Sequence, residues 1–449
     1  MRGESEAPLR RSLAAALTAG LLAAPAAVGT ASAASGSGPH CAASVPYTAG
    51  RGGYATYRIP AVVRTGAGTV LAFAEGRHDG GGDTGDIDVV LRRSADGGCT
   101  WGPLRVVAAG DGDTRGNPAP VVDPRSGRVV LLTCFNGGGV TEAQIMRGEA
   151  TRGLGRRVFV QTSRDDGLHF SAPREITGAV KRPGWRWYAT GPGHAIALRH
   201  GPHAGRLVVP ADHSAAPRPG SPDTGGEARY YGGHALYSDD GGLVWRLGFV
   251  DDSYDGRLNV NESAVAELPD GRLYFSARDE KGTGGSGGHR LDAYSGDGGR
   301  TLSRPYAVQR TLNEVPVVQG SVLQPTGRHA PLLFSGPSVP HVRRGMALWR
   351  STDSGVTFTK ATTLSPRPAA YSDLVPLGSG RVGILYETGE SGPYDRIEFR
   401  RLAAPVLAPA APTRPIPYLG APPPDPRQGR GAPWTPASPE GLVLKRRTG

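Results

Sequence analysis

The sequence predicts an all-β fold, a six-bladed β-propeller, on three observations. A Ser-x-Asp-x-Gly turn recurs five times along the chain. Short strand-like runs separate its copies, and none carries the periodicity of an amphipathic helix. Glycine (68 residues) and proline (40) are spread between those runs rather than concentrated, as many tight turns in an all-β protein require.

The turns are "SADGGCTW" at 94–101, "SRDDGLHF" at 163–170, "SDDGGLVW" at 238–245, "SGDGGRTL" at 295–302 and "STDSGVTF" at 351–358. In each, the Asp side chain accepts from nearby backbone N–H groups, Gly supplies positive φ, and the last, mostly aromatic, residue anchors the turn on its sheet. The starts lie 56 to 75 residues apart, the spacing of repeats that each hold about four strands. Runs such as "TVLAFAE", "RVVLLTCF", "AIALRH", "RLVVPA", "RLYFSAR", "PLLFSG" and "RVGILYE" supply those strands. Five turns over residues 46–402 imply six blades, one of which lacks its turn. These turns report architecture, not chemistry.

The ends of the chain read differently. Arg2, Arg10 and Arg11 precede an apolar run from Leu13 to Val28, and Ala31–Ala33 offers a small-residue cleavage site. Gly20 and Pro25 interrupt the run, which is short for a bilayer span. A secretory signal over 1–33, a lead-in over 34–45 and a secreted, extracellular protein without membrane insertion are therefore expected. Residues 403–449 are dense in Pro and Ala and read as a disordered tail or linker. Cys41, Cys99 and Cys134 allow at most one intramolecular disulfide, and their pairing stays open.

The net charge of +11 comes almost wholly from arginine; the lysines are Lys181, Lys281, Lys360 and Lys445. No basic helix, run of interleaved aromatics or zinc spacing accompanies that charge, so nucleic acid is not the expected partner. An arginine-biased composition with a basic tail over 403–449 accounts for most of the charge, and an anionic substrate fits the rest. The acidic run "EGRHDGGGDTGDIDVVL" at 75–91 is not an EF-hand: counted from Asp79, position 6 is Thr84 and position 12 is Val90.

"YRIPAVV" at 57–63, upstream of the first turn, resembles the exo-α-sialidases (neuraminidases) of bacteria and animals, glycoside hydrolase family 33. The similarity continues through "LAFAEGR", "GNPAPVV", "GPGHAIAL", "NESAVAEL", "AYSDL" and "LYETG", in order across 46–402. It implies the sialidase fold and a secreted retaining exo-α-sialidase acting on sialylated glycoconjugates, as a monomer, with no cofactor and no metal. A trans-sialidase, a glycosidase of another nonulosonic acid and a non-catalytic glycan-binding propeller are the alternatives.

Sialic acid bears a carboxylate on its anomeric carbon, so its site needs converging guanidinium forks. The resemblance assigns that triad to Arg58 of "YRIP", Arg278 of "FSARDE" and Arg343 of "HVRRGMAL", with Arg344 as the competitor for the third place. A carboxylate nucleophile would be repelled there, and the family uses a neutral tyrosine with a base beside it. Tyr371 of "AAYSDL" and Glu262 of "NVNESAVAEL" match these two roles. Glu387 of "ILYETG" matches the residue that orients the first arginine. The acid/base is an Asp shortly before the first turn. Asp83 matches its placement, Asp79 and Asp86 compete, and Asp88 reads as a strand residue. Arg77 is expected at the rim of the site and Asn117 at the sugar's polar substituents. Trp185, Trp187 and Tyr188 line the pocket or pack.

Overall fold

The computed structural model describes residues 41–402 apart from 255, 281–287 and 328. The expected leader, most of the lead-in and the 403–449 tail lie outside the described residues. Among the described residues strands dominate, and no helix is long and apolar enough to cross a membrane.

Successive strands pair antiparallel as meanders. Thr56–Arg64, Val70–Arg77, Ile87–Ser94 and Arg105–Ala108 form the first. A parallel pair, Ile87 with Thr114, joins it to Thr114–Val122, Val129–Asn136, Arg157–Ser163 and Arg174–Glu175. Trp185–Thr190, Leu207–Ala215, Tyr231–Ser238 and Arg246–Val250 follow, then Val260–Glu267, Leu273–Asp279, Arg290–Ser295 and Arg304–Val308. The last sheet begins with Ser321–Leu323, Leu332–Val339 and Val342–Ser351. Its long strand Thr359–Gly378 pairs first with Val342–Ser351 and then with Arg381–Thr388. Arg396–Leu402 and Ala43–Thr48 complete the sheet. This succession of meanders is a β-propeller. Val70–Arg77 is buried at every position, which explains why it reads as a continuous apolar run and not an alternating one.

The turn at 94–101 links Ile87–Ser94 to Arg105–Ala108, and the other four occupy the same place in their meanders. Asp96 Oδ1 accepts from the backbone N–H of Cys99 and of Thr100, each at 2.9 Å, while Ser94 Oγ accepts from Gly98 N at 2.8 Å. Asp297 and Asp353 repeat the pattern. Gly98 has φ 92°, and a Cβ there would lie 2.0 Å from Phe399; only glycine fits. The last meander has no such turn for a topological reason. Its third and fourth strands, Arg396–Leu402 and Ala43–Thr48, come from opposite ends of the described chain, so no link exists there for a turn to fill.

Residues 43–45, expected in the lead-in, thus belong to the closing sheet. A Cys41–Cys99 disulfide ties that strand to the first turn, and Trp101 Nε1 donates to Ser44 Oγ at 2.8 Å. Cys134 is free and buried. The run "AIALRH" forms only the short strand Ile196–Ala197. The N–H groups of Arg199 and His200 turn instead to the Glu267 carboxylate, at 2.7 and 2.9 Å.

Candidate active site

Strand ends from several meanders converge on a cleft of about 160 Å³ whose lining includes Arg58, Arg77, Asp83, Asn117, Glu262, Arg278, Arg343 and Tyr371. Two of these ends share one local device. In Thr56–Arg64 the register shifts after Arg58, and Ile59 adopts φ 57°, a conformation that costs a β-branched residue energy. The buried Glu387 carboxylate compensates. Its Oε1 accepts from Ile59 N at 2.8 Å and from Arg58 Nε at 2.9 Å. The Arg-Ile-Pro segment is thus a kink that aims Arg58 into the cleft. In Thr114–Val122 the register shifts after Gly116, and Asn117 adopts φ 51°. There Glu75 accepts from Asn117 N at 2.8 Å and, through its other oxygen, from Arg77 Nη2 at 2.6 Å.

Arg77, expected at the rim, is buried, with 2% of its side chain exposed. Its partner Glu75 is what draws it inward. From there its Nη1 donates to the carbonyls of Gly81 and Gly82, at 2.6 and 2.8 Å, so the 78–86 loop wraps the guanidinium. The loop holds Asp83 at the cleft mouth, 64% exposed, 2.8 Å from Arg77 Nη2 and 3.9 Å from Arg58 Nη1. Burial alone would raise the Asp83 carboxyl, but the charges of Arg77 and Arg58 outweigh it and hold it below the usual carboxylate range. The other aspartates of the run, Asp79, Asp86 and Asp88, do not line the cleft. Asp86 accepts from Gly112 N, and the buried Asp88 binds Tyr54 Oη and Gly110 N.

On the opposite wall the Tyr371 hydroxyl donates to Glu262 Oε1 in a short hydrogen bond. Arg278 Nη1 spans both groups, 2.9 Å from Glu262 Oε2 and 3.2 Å from Tyr371 Oη. The Arg58 guanidinium carbon lies 5.1 Å from the centre of the Tyr371 ring, and that of Arg343 lies 5.8 Å away. Burial, and then the negative Glu262, push the phenol pKa well above its ordinary value, while the three arginines oppose that shift. A buried phenol with a carboxylate on its hydroxyl has a proton acceptor at hand, the arrangement that activating a phenol would need. Arg343 lines the cleft and donates to Tyr394 Oη at 2.8 Å, whereas Arg344 is exposed and reaches the Pro366 carbonyl.

Trp187 lines the cleft, whereas Trp185 and Tyr188 are buried in the core. Sequence reasoning missed Arg156, Glu142 and Glu280, which also line the cleft. Arg156 stacks on Trp187 with 4.0 Å between guanidinium carbon and ring centre, and it donates to Tyr188 O and to the side chains of Asn136 and Asn117. Glu142 opens the helix Glu142–Arg147, whose capping box joins Thr141 and Gln144. "TEAQ" carries that signal in the sequence. Burial and the negative charge of Glu280 raise the Glu142 carboxyl.

A family model described as "BNR repeat-like domain" matches residues 68–384. Sialidase-2 of Rattus norvegicus is 30% identical over 372 residues, covering 76% of this chain and 91% of that protein. The chain belongs to the sialidase family. A sialidase of Micromonospora viridifaciens is 32% identical over 355 residues. The alignment covers 76% of this chain but 51% of that relative, so the chain spans about half its length. The solved structure of Hadza microbial sialidase Hz136 superposes with a TM-score of 0.68 at 26% identity, covering 82% of this chain and 69% of the other.

Proposed function

We propose that the protein is a secreted, retaining exo-α-sialidase that releases terminal sialic acid from glycoconjugates. The observation that carries this reading is the Tyr371 hydroxyl bonded to Glu262 beneath guanidinium groups. A nucleophile of that kind suits an anomeric carbon that already bears a carboxylate, because a neutral phenol is not repelled by it.

The substrate carboxylate docks on Arg58, Arg278 and Arg343. Glu387 pre-orients the Arg58 fork through its 2.9 Å bond, so little order has to be imposed on binding. Tyr371 Oη attacks the anomeric carbon while Glu262 takes its proton, and the glycosidic bond breaks as Asp83 protonates the leaving oxygen. The free Asp83 is held as a carboxylate by Arg77 and Arg58. A bound substrate carboxylate offsets that positive field and raises the Asp83 pKa toward that of an acid. In the second step Asp83 takes a proton from water, the water oxygen attacks the same carbon, and Tyr371 departs and regains its proton from Glu262. Two inversions give net retention.

We infer that the sheets form six four-stranded blades. A cavity at the other end of the inner strands supports that count: Val62, Val121, Ile196, Val265, Leu323 and Val375 all line it, one from each consecutive meander. Export rests on the N-terminal pattern and on the Cys41–Cys99 disulfide, a bond that persists in oxidising compartments.

The test is hydrolysis of an α-sialoside, with Tyr371→Phe and Asp83→Ala compared with the parent. The expected result is release of sialic acid by the parent and loss of turnover in Tyr371→Phe. A parent that releases none overturns the reading.

A further inference from the structure

The turn that follows strand Trp185–Thr190 has no role in the chemistry above, yet it bonds to the strands that carry Tyr371 and Glu262. Gly191 O accepts from the N–H of Ser263, the residue after Glu262, at 2.8 Å. Three residues on, His194 meets Asp373, two residues after Tyr371. Asp373 Oδ2 accepts from His194 N at 2.8 Å, and Asp373 Oδ1 accepts from His194 Nδ1 at 2.7 Å. The His194 and Asp373 side chains are 9% and 1% exposed, so water does not compete for these bonds.

The same carboxylate reaches further. Asp373 Oδ2 also accepts from Val62 N at 2.8 Å, in the strand that carries Arg58, and Oδ1 accepts from Ser321 Oγ at 2.8 Å. Gln319 brackets the residue between Tyr371 and Asp373, accepting from Ser372 N at 3.0 Å and donating to Ser372 O at 3.1 Å. Its amide lies 3.2 Å from Pro192 O as well, inside the same turn. Gly193 has φ 106°, and a Cβ on it would sit 3.2 Å from Asp373 Oδ1, so close approach of turn and carboxylate requires glycine there.

We propose that His194 and Asp373 are positioning residues: the Gly191–His194 turn clamps the strand of Tyr371 to the strand of Glu262 and sets the hydroxyl-to-carboxylate approach on which nucleophile activation depends. The inference rests on the reading of Tyr371 and Glu262 as nucleophile and base. It gives "YSDL" a second meaning, since the aspartate after the tyrosine holds the tyrosine in place. The physical reason is leverage. Tyr371 and Glu262 stand on different sheets, and a slip of about 1 Å between reacting groups costs on the order of a hundredfold in rate.

The experiment follows covalent labelling of Tyr371 by a 2,3-difluoro sialic acid, whose C2 fluoride leaves while the C3 fluorine slows hydrolysis of the adduct. Labelling rates are measured by intact mass for the parent, His194→Ala and His194→Asn. Affinity for 2,3-dehydro-2-deoxy-sialic acid, which engages the arginines without bonding to Tyr371, is measured beside them. The expected result is labelling about 10- to 100-fold slower in His194→Ala, affinity for the dehydro acid within about threefold of the parent, and partial recovery in His194→Asn, whose amide N–H replaces the Nδ1 donor. Labelling of His194→Ala at the parent rate overturns the inference alone. So does an affinity loss that parallels the rate loss, because a general loosening of the site would produce it. A parent that forms no adduct overturns the nucleophile reading and the clamp with it.

Discussion

Replacing Glu387 by Gln isolates what a buried carboxylate does for Arg58. The substitution keeps side-chain volume and removes one charge. Glu387 is fully buried, and its two oxygens accept from Arg58 Nε, Ile59 N and Tyr371 N at 2.9, 2.8 and 3.1 Å. A glutamine has a single carbonyl oxygen, so its NH2 must face either the Arg58–Ile59 pair or Tyr371 N as donor against donor. Arg58, with 6% of its side chain exposed, then keeps, among the described residues, only the exposed Asp83 at 3.9 Å as an ion-pair partner. Breaking one partner of a buried pair costs about 3–5 kcal/mol, and the lost backbone bond lies within that range. Urea denaturation read by tryptophan fluorescence should therefore show a loss of about 4 kcal/mol, together with a raised KM for sialosides. Glu390→Gln is the control: that residue pairs with Arg367 and Arg396 at 65% exposure, and its loss should stay below about 0.5 kcal/mol. If Glu387→Gln cost less than about 1 kcal/mol and left KM unchanged, the carboxylate would not be what holds the fork.

Four other expectations concern Asp83, Asp96 and Cys99. Asp83 must be protonated to act as acid and its pKa is depressed, so kcat/KM on natural glycosides should fall as pH rises and be best on the acidic side. Asp83→Ala should lose about 10²–10⁴-fold on those substrates and far less on an activated aryl sialoside, where the leaving group needs no proton; equal losses on both would move the acid role elsewhere. Bonds from Thr100, Ser94 and Cys99 outweigh burial and hold the Asp96 carboxyl at about 2, against an ordinary value of 3.8. A depressed folded pKa means stability present above about 4 and lost as pH falls toward about 2, so Asp96→Asn should flatten the acid limb of a thermal-stability profile, and an unchanged limb would contradict this. Cys99→Ser opens the 58-residue loop closed by the disulfide and should destabilise by roughly 4 kcal/mol on the loop-closure argument; unfolding by denaturant checks it.

The recurring turns were legible because each is local: a Ser, an Asp and a Gly within five residues settle their own hydrogen bonds. Their number was harder to interpret, since the missing copy is not a decayed turn but the place where the two ends of the described chain meet. Arg58 and Tyr371 were legible through the family resemblance of "YRIP" and "AAYSDL". Arg156, Glu142 and Glu280 did not, because their place in the cleft depends on how distant strands pack, which no local spacing records. The inward turn of Arg77 was hidden for a related reason. Glu75 lies two residues before it on the same strand and so on the same face, but only the fold shows that face to be buried. The separation of Arg343 from Arg344 followed from strand alternation once the strand Val342–Ser351 was in place.

The central claim is that Tyr371 carries the glycosyl group. Peptide mapping by mass spectrometry after brief exposure to a 2,3-difluoro sialic acid tests it most directly. The account predicts one added sugar, on the peptide containing Tyr371, and none in Tyr371→Phe. A sugar attached to Glu262 or Asp83, or labelling that persists in Tyr371→Phe, would contradict it.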